Sequence, residues 1–61
     1  MNGTDPSAAI AAVRETHARA KYADRHYPET WRRDAWAAHV RAIIAALQAG
    51  HTGREITEAQ R

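Results

Sequence analysis

Apolar and polar positions follow a helical period in two stretches of matched length, Pro6 to His26 and Trp31 to Ala49, separated by the break Tyr27-Pro28-Glu29-Thr30. Roughly 20 residues rising about 1.5 Å each give a hairpin of two antiparallel helices about 30 Å long. In the second stretch Trp36, Val40, Ile43 and Leu47 recur at four-three-four spacing, with Ile44 at their edge. A second stripe of Trp31, Ala35, Ala38, Ala42, Ala45 and Ala49 lies on the far side of the same helix. The first stretch can oppose either stripe with Ile10, Val13, His17, Ala20 and Tyr27.

Burying Leu, Ile or Trp gains several times what burying Ala gains, so the bulky stripe is expected to face inward. That pairs Ile10 with Leu47, Val13 with Ile43 and Ile44, His17 with Val40, Ala20 with Trp36 and Tyr27 with Trp31. The Ala stripe then faces outward. It reads either as helix-favouring solvent positions or as a close-packed seam for another helix, anchored at one end by Trp31.

Punctuation residues set the boundaries. Asp5 is placed to cap the first helix with Pro6 at its first position, and Pro28 disfavours helix at Tyr27. Thr30 is a cap for the second helix, and Gly50 supplies the left-handed residue that ends it. Thr52-Gly53-Arg54-Glu55 matches a capping box, predicting a short third helix to about Gln60 that persists by docking through Ile56. The expected fold is therefore all-α: an antiparallel two-helix hairpin with a short third C-terminal helix, over about 6–26, 31–49 and 53–60. Residues 1–61 make a single small helical domain, with residues 1–4 frayed.

Composition adds a constraint. Of the hydrophobic residues 15 are Ala, leaving Met1, Ile10, Val13, Tyr22, Tyr27, Trp31, Trp36, Val40, Ile43, Ile44, Leu47 and Ile56 as the larger side chains. A chain of this length sits near the lower limit for an independent core and has no Cys for a disulfide, so a partner or a second copy is expected. The net charge of +2 arises in residues 1–33, with six basic and four acidic side chains against three of each in the remainder. Such a balance permits contact with an acidic surface without demanding it. No signal-peptide apolar region, long apolar run or lipidation motif is present, which points to a soluble cytoplasmic protein. The Ala and Arg richness fits a GC-rich bacterial or phage gene, and a short chain beginning at Met reads as a complete small open reading frame.

Candidate chemistry is sparse. His17, His26, His39 and His51 are separated by nine, thirteen and twelve residues, so none form an i,i+4 pair and no metal site is expected. His17 reads as a half-buried hairpin residue, the others as solvated or near caps. No nucleophile with a neighbouring base can be read, Gly3, Gly50 and Gly53 form no phosphate loop, and the chain is too short to enclose a pocket. Neither an enzyme nor a cofactor is expected.

Binding to a macromolecule is the function class that remains. The first expectation is a protein-interaction module, an inhibitor, adaptor or antagonist of a larger intracellular protein, binding through Trp31, Arg32, Ala35, Ala38, Ala42 and Ala45. The alternative is a small DNA-binding regulator using the basic side chains Arg14, Lys21, Arg25, Arg32 and Arg33 to track phosphates. The segment Ile43 to Ile56, in which a helix ends at Gly50 and Thr52 caps a short helix with Arg54-Glu55-Ile56, resembles the opening half of a bacterial helix-turn-helix domain. The resemblance covers about a quarter of the chain. In that family the following helix reads the major groove; here the sequence stops at Arg61, where that helix is due. If DNA is bound, a dimer presenting the basic flank is expected rather than groove reading by residues 53–61.

Overall fold

The computed structural model describes residues 6–61, which form α1 (Pro6–His26), α2 (Glu29–Gln48) and α3 (Gly53–Ala59). Helices α1 and α2 pack as the expected antiparallel hairpin, α3 docks against it, and no strand occurs among the described residues. No helix among these residues is long and apolar enough to cross a membrane. The proposed Asp5 cap and the fraying of Met1 to Thr4 lie outside the described residues.

Local chemistry explains most helix ends. Helix α1 closes with the Tyr27 amide donating to the Ala23 carbonyl at 2.9 Å, and Pro28 forbids a further turn. Helix α2 starts earlier than the Thr30 cap would have it. Pro28, extended at φ −64° and ψ 164°, occupies the cap position without a side-chain bond, and its carbonyl accepts from the Trp31 and Arg32 amides, each at 3.0 Å. The two-residue turn leaves no room for a later start, and Glu29 places a negative charge at the positive end of the helix.

At the other end Gly50 has φ +101°. The His51 amide donates to the Ala46 carbonyl and the Gly50 amide to the Leu47 carbonyl, both at 3.0 Å, which is the Schellman closure. The capping box forms as expected: the Glu55 amide donates to Thr52 Oγ1 at 3.2 Å, and the Thr52 amide donates to Glu55 Oε1 at 2.8 Å. His51 ties this corner to the start of α1, its Nε2–H donating to the Pro6 carbonyl at 2.6 Å while Nδ1 lies 3.4 Å from Glu55 Oε2.

The face that α2 turns inward corrects the sequence reading. Neither stripe wins: the line between them, centred on His39 and Ala46, is the one fully buried. Val40, Ile44 and Leu47 of the bulky stripe are each about half exposed, so the pairings of Ile10 with Leu47, of Val13 with Ile44 and of His17 with Val40 do not form a core. Buried Val13, Ala46, Ile56 and Ala59 form the core, with Ala9, Ile10, Ala42 and Ile43 packed against them. Ile43 packs on the same buried cluster as Val13, and Tyr27 meets Trp31 as expected, their rings edge to face at 5.2 Å. Along α1 the buried positions are Val13, Ala20 and Ala23. Small side chains there let the helices approach closely but offer little depth to receive Leu47 or Val40.

A polar hub fixes this orientation. His39 is 2% exposed and belongs to α2. Its Nε2–H donates to Gln60 Oε1, just past α3, at 2.7 Å, and its Nδ1 lies 2.8 Å from Thr16 Oγ1 of α1. The Gln60 amide is oriented by its nitrogen donating to the Ile56 carbonyl at 3.2 Å. In the neutral ring Nδ1 accepts from the Thr16 hydroxyl. In the charged ring it donates to that oxygen, whose hydrogen then turns to the Ala12 carbonyl at 2.7 Å. His39, expected near solvent or a cap, is instead buried and bonded both to α1 and to the residue that ends α3. His17 is partly buried as expected, its ring 5.3 Å from that of His39 and 6.2 Å from Trp36.

Candidate binding surface

The two ends of the hairpin differ in chemistry. The aliphatic core and α3 occupy one end, while all four Trp and Tyr residues fall between 22 and 36, at the turn. Residues 19–34 also carry Arg19, Lys21, Arg25, Arg32 and Arg33 against Asp24, Glu29 and Asp34, a net +2 equal to that of the whole chain. The charges elsewhere cancel.

At this end the rings run in sequence across the turn. His26 stacks on Tyr22 with centroids 4.2 Å apart, Tyr22 meets Tyr27 edge to face at 5.6 Å, and Tyr27 meets Trp31. Tyr22, Tyr27 and Trp31 are nonetheless exposed, Trp31 by 58%. Trp36 behaves differently, being partly buried with its indole N–H donating to Asp24 Oδ1 at 2.8 Å. Each ring packs on its neighbour, in the edge-to-face geometry that aromatic pairs favour at two of the three contacts.

Two hollows adjoin the ring series. One, about 280 Å³, lies between the helix ends and is lined by Ala23, Tyr27, Trp31 and Ala35 with Arg19 and Asp34 at its polar edge. The other, about 360 Å³, lies along α1 between Ala18, Lys21, Tyr22, Arg25 and His26. The first is apolar with a charge of each sign; the second is basic and aromatic.

The side chains singled out from sequence do not form one surface. Trp31 and Ala35 line the apolar hollow, with Arg32 partly buried on the same helix. Ala38 is partly buried, Ala42 packs on the internal core, and Ala45 is exposed. The Ala stripe is therefore unevenly exposed, with Ala42 in its middle packed against the core. Of the basic set, Arg14, Lys21 and Arg25 are exposed on α1, and only the latter two share the basic hollow. Arg33 is exposed and paired with Glu29 at 3.1 Å, an exposed i,i+4 pair of small energetic weight.

Sequence reasoning did not single out Arg19, Tyr22, Tyr27 and Asp34 as surface partners, although the crowding of all aromatics into one segment was visible. Val40, Ile44 and Leu47 form a further exposed stripe, read from sequence as core.

His51 is held above its ordinary value of 6.5, first by its hydrogen bond to the Pro6 carbonyl and then by Glu55. Glu55 is held below its ordinary 4.5, first by the Thr52 amide and then by His51. Both belong to the capped corner and serve the fold. Among the described residues no group of three His, Cys, Asp or Glu side chains converges to hold a metal ion. Comparison with family models, with curated proteins and with solved structures finds no match to this chain.

Proposed function

We propose that the protein is a non-catalytic protein-interaction module, acting in the cytoplasm as an inhibitor, adaptor or antagonist of a larger protein, in a bacterial or phage setting. The observation that carries this reading is the exposed, mutually packed Tyr22–Tyr27–Trp31 series beside an apolar hollow. Trp, Tyr and Arg are the side chains that dominate interface energetics, and an apolar hollow beside an exposed Trp gives a partner somewhere to place an anchor. The site accordingly moves from the Ala seam to Trp31, Ala35 and their neighbours across the turn. A second copy docking here through a twofold axis would bring two net-positive ends together, which favours a different protein as the partner.

One observation supports the alternative, a DNA-binding regulator. Lys21 and Arg25 flank Tyr22 without a carboxylate partner, an arrangement suited to phosphate contact with ring stacking. Salt separates the two readings. Capture of a partner by the tagged protein should survive nuclease and vary little from low to high salt if an apolar anchor dominates. Phosphate binding should be lost to nuclease, and its affinity should fall with a log-log slope close to one per neutralised phosphate.

A further inference from the structure

We infer that the partner segment at the turn end is an acidic peptide carrying one apolar anchor; this rests on the protein-interaction reading and specifies its ligand. The charges do not cancel at this end. Glu29 is paired with Arg33, and Asp24, which keeps its charge, is held by the Trp36 indole N–H. Arg19, Lys21, Arg25 and Arg32 have no ion-pair partner among the described residues. The apolar hollow carries Arg19 and Asp34, one charge of each sign, and the uncompensated positive charge lies in the basic hollow at Lys21 and Arg25.

Tyr22 in the wall of the basic hollow and Tyr27 in the wall of the apolar one meet edge to face at 5.6 Å. A ligand spanning both must present an apolar group to Tyr27, Trp31 and Ala35, and negative charge a short distance further along. An amphipathic peptide helix does this readily, since side chains three or four positions apart lie about 5–6 Å from one another. A nucleic acid fits less well. Its phosphates form a continuous negative track of which a net charge of +2 neutralises few. A peptide can set its carboxylates at Lys21 and Arg25 and its apolar group near Asp34. Asp34 can accept an N–H from that peptide.

The experiment is selection of short random peptides displayed on phage against the full-length protein, followed by titration of the synthesised winners by calorimetry. Oligo-dT is titrated in parallel. The inference predicts winners with an apolar residue flanked by Asp and Glu. Their affinity should drop about tenfold or more with Trp31→Ala and with the Lys21→Glu, Arg25→Glu double variant, all exposed positions. Winners without acidic bias that still depend on Trp31 would overturn the acidic-partner inference and leave the interaction reading intact. No enrichment, or oligo-dT binding tighter than any peptide, would overturn both.

Discussion

Replacing Thr16 with Val tests the hub that joins the three helices. The two side chains are close in shape, so the change removes one hydroxyl and little packing. What it leaves is His39 Nδ1, in a ring 2% exposed, without the oxygen that stood 2.8 Å away. A buried polar atom stripped of its partner costs about 1–3 kcal/mol. Thr and Val differ little in helix propensity, so this cost should appear almost undiminished.

Domains of this length have roughly 3–9 kcal/mol of stability in all, at about 0.05–0.15 kcal/mol per residue. A loss near 2 kcal/mol should lower the melting temperature by roughly 8–16 °C, at about 4–8 °C per kcal/mol. The assay is thermal and urea unfolding followed by far-UV circular dichroism, with Thr16→Ser, which keeps the hydroxyl, as the control. Val should be clearly less stable than Ser, with an unchanged urea slope. A loss below about 0.5 kcal/mol, the range of an ordinary surface change, would refute the hub.

The face assignment predicts that Ala46→Leu, at a fully buried position, costs about 1–3 kcal/mol by overpacking, whereas Val40→Lys, about half exposed, costs less than about 1 kcal/mol; urea midpoints decide the order. Gly50→Ala should cost about 1–2 kcal/mol although nothing lies within 4 Å of the added methyl, because the φ of +101° is strained for any side chain. Gly53→Ala, equally open but helical, should be neutral or stabilising in the same melts. The pH dependence follows from the capped corner. The raised His51 value means its contribution is complete below about 6.5 and disappears as pH rises through the folded value. The lowered Glu55 value means its contribution is complete above about 4.5 and disappears as pH falls through the folded value. Stability from this corner should therefore peak between those limits, and His51→Gln should flatten the alkaline side of a melting-temperature profile against pH.

Which parts of this fold could be read in the sequence depends on how local their causes are. Gly50 and the Thr52–Glu55 box act within a few residues, and both helix ends form as expected. Tyr27 and Trp31 are joined by a tight turn, so their contact was also legible. The inward face of α2 was not, because its two apolar stripes flank the buried line and burial energetics alone favoured the bulkier one. The deciding partners of His39 are Thr16 and Gln60, 23 and 21 residues away, and hydrogen-bond geometry at that separation leaves no periodic trace. The same error displaced the candidate site: Trp31 and Ala35 remain on the open surface while Ala42 closes the core. Ala42→Glu, which would test an exposed seam, here sets a carboxylate at a partly buried position against the core and should destabilise the hairpin.

The most direct test of binding through the turn end is capture from nuclease-treated bacterial lysate by wild-type protein, Trp31→Ala and Leu47→Glu, each first shown to be folded. Both positions are more than half exposed, one in the aromatic patch and the other on the aliphatic stripe of α2. A partner retained by Leu47→Glu and lost by Trp31→Ala is the predicted result. A partner retained by Trp31→Ala and lost by Leu47→Glu would place recognition on the stripe and contradict the account.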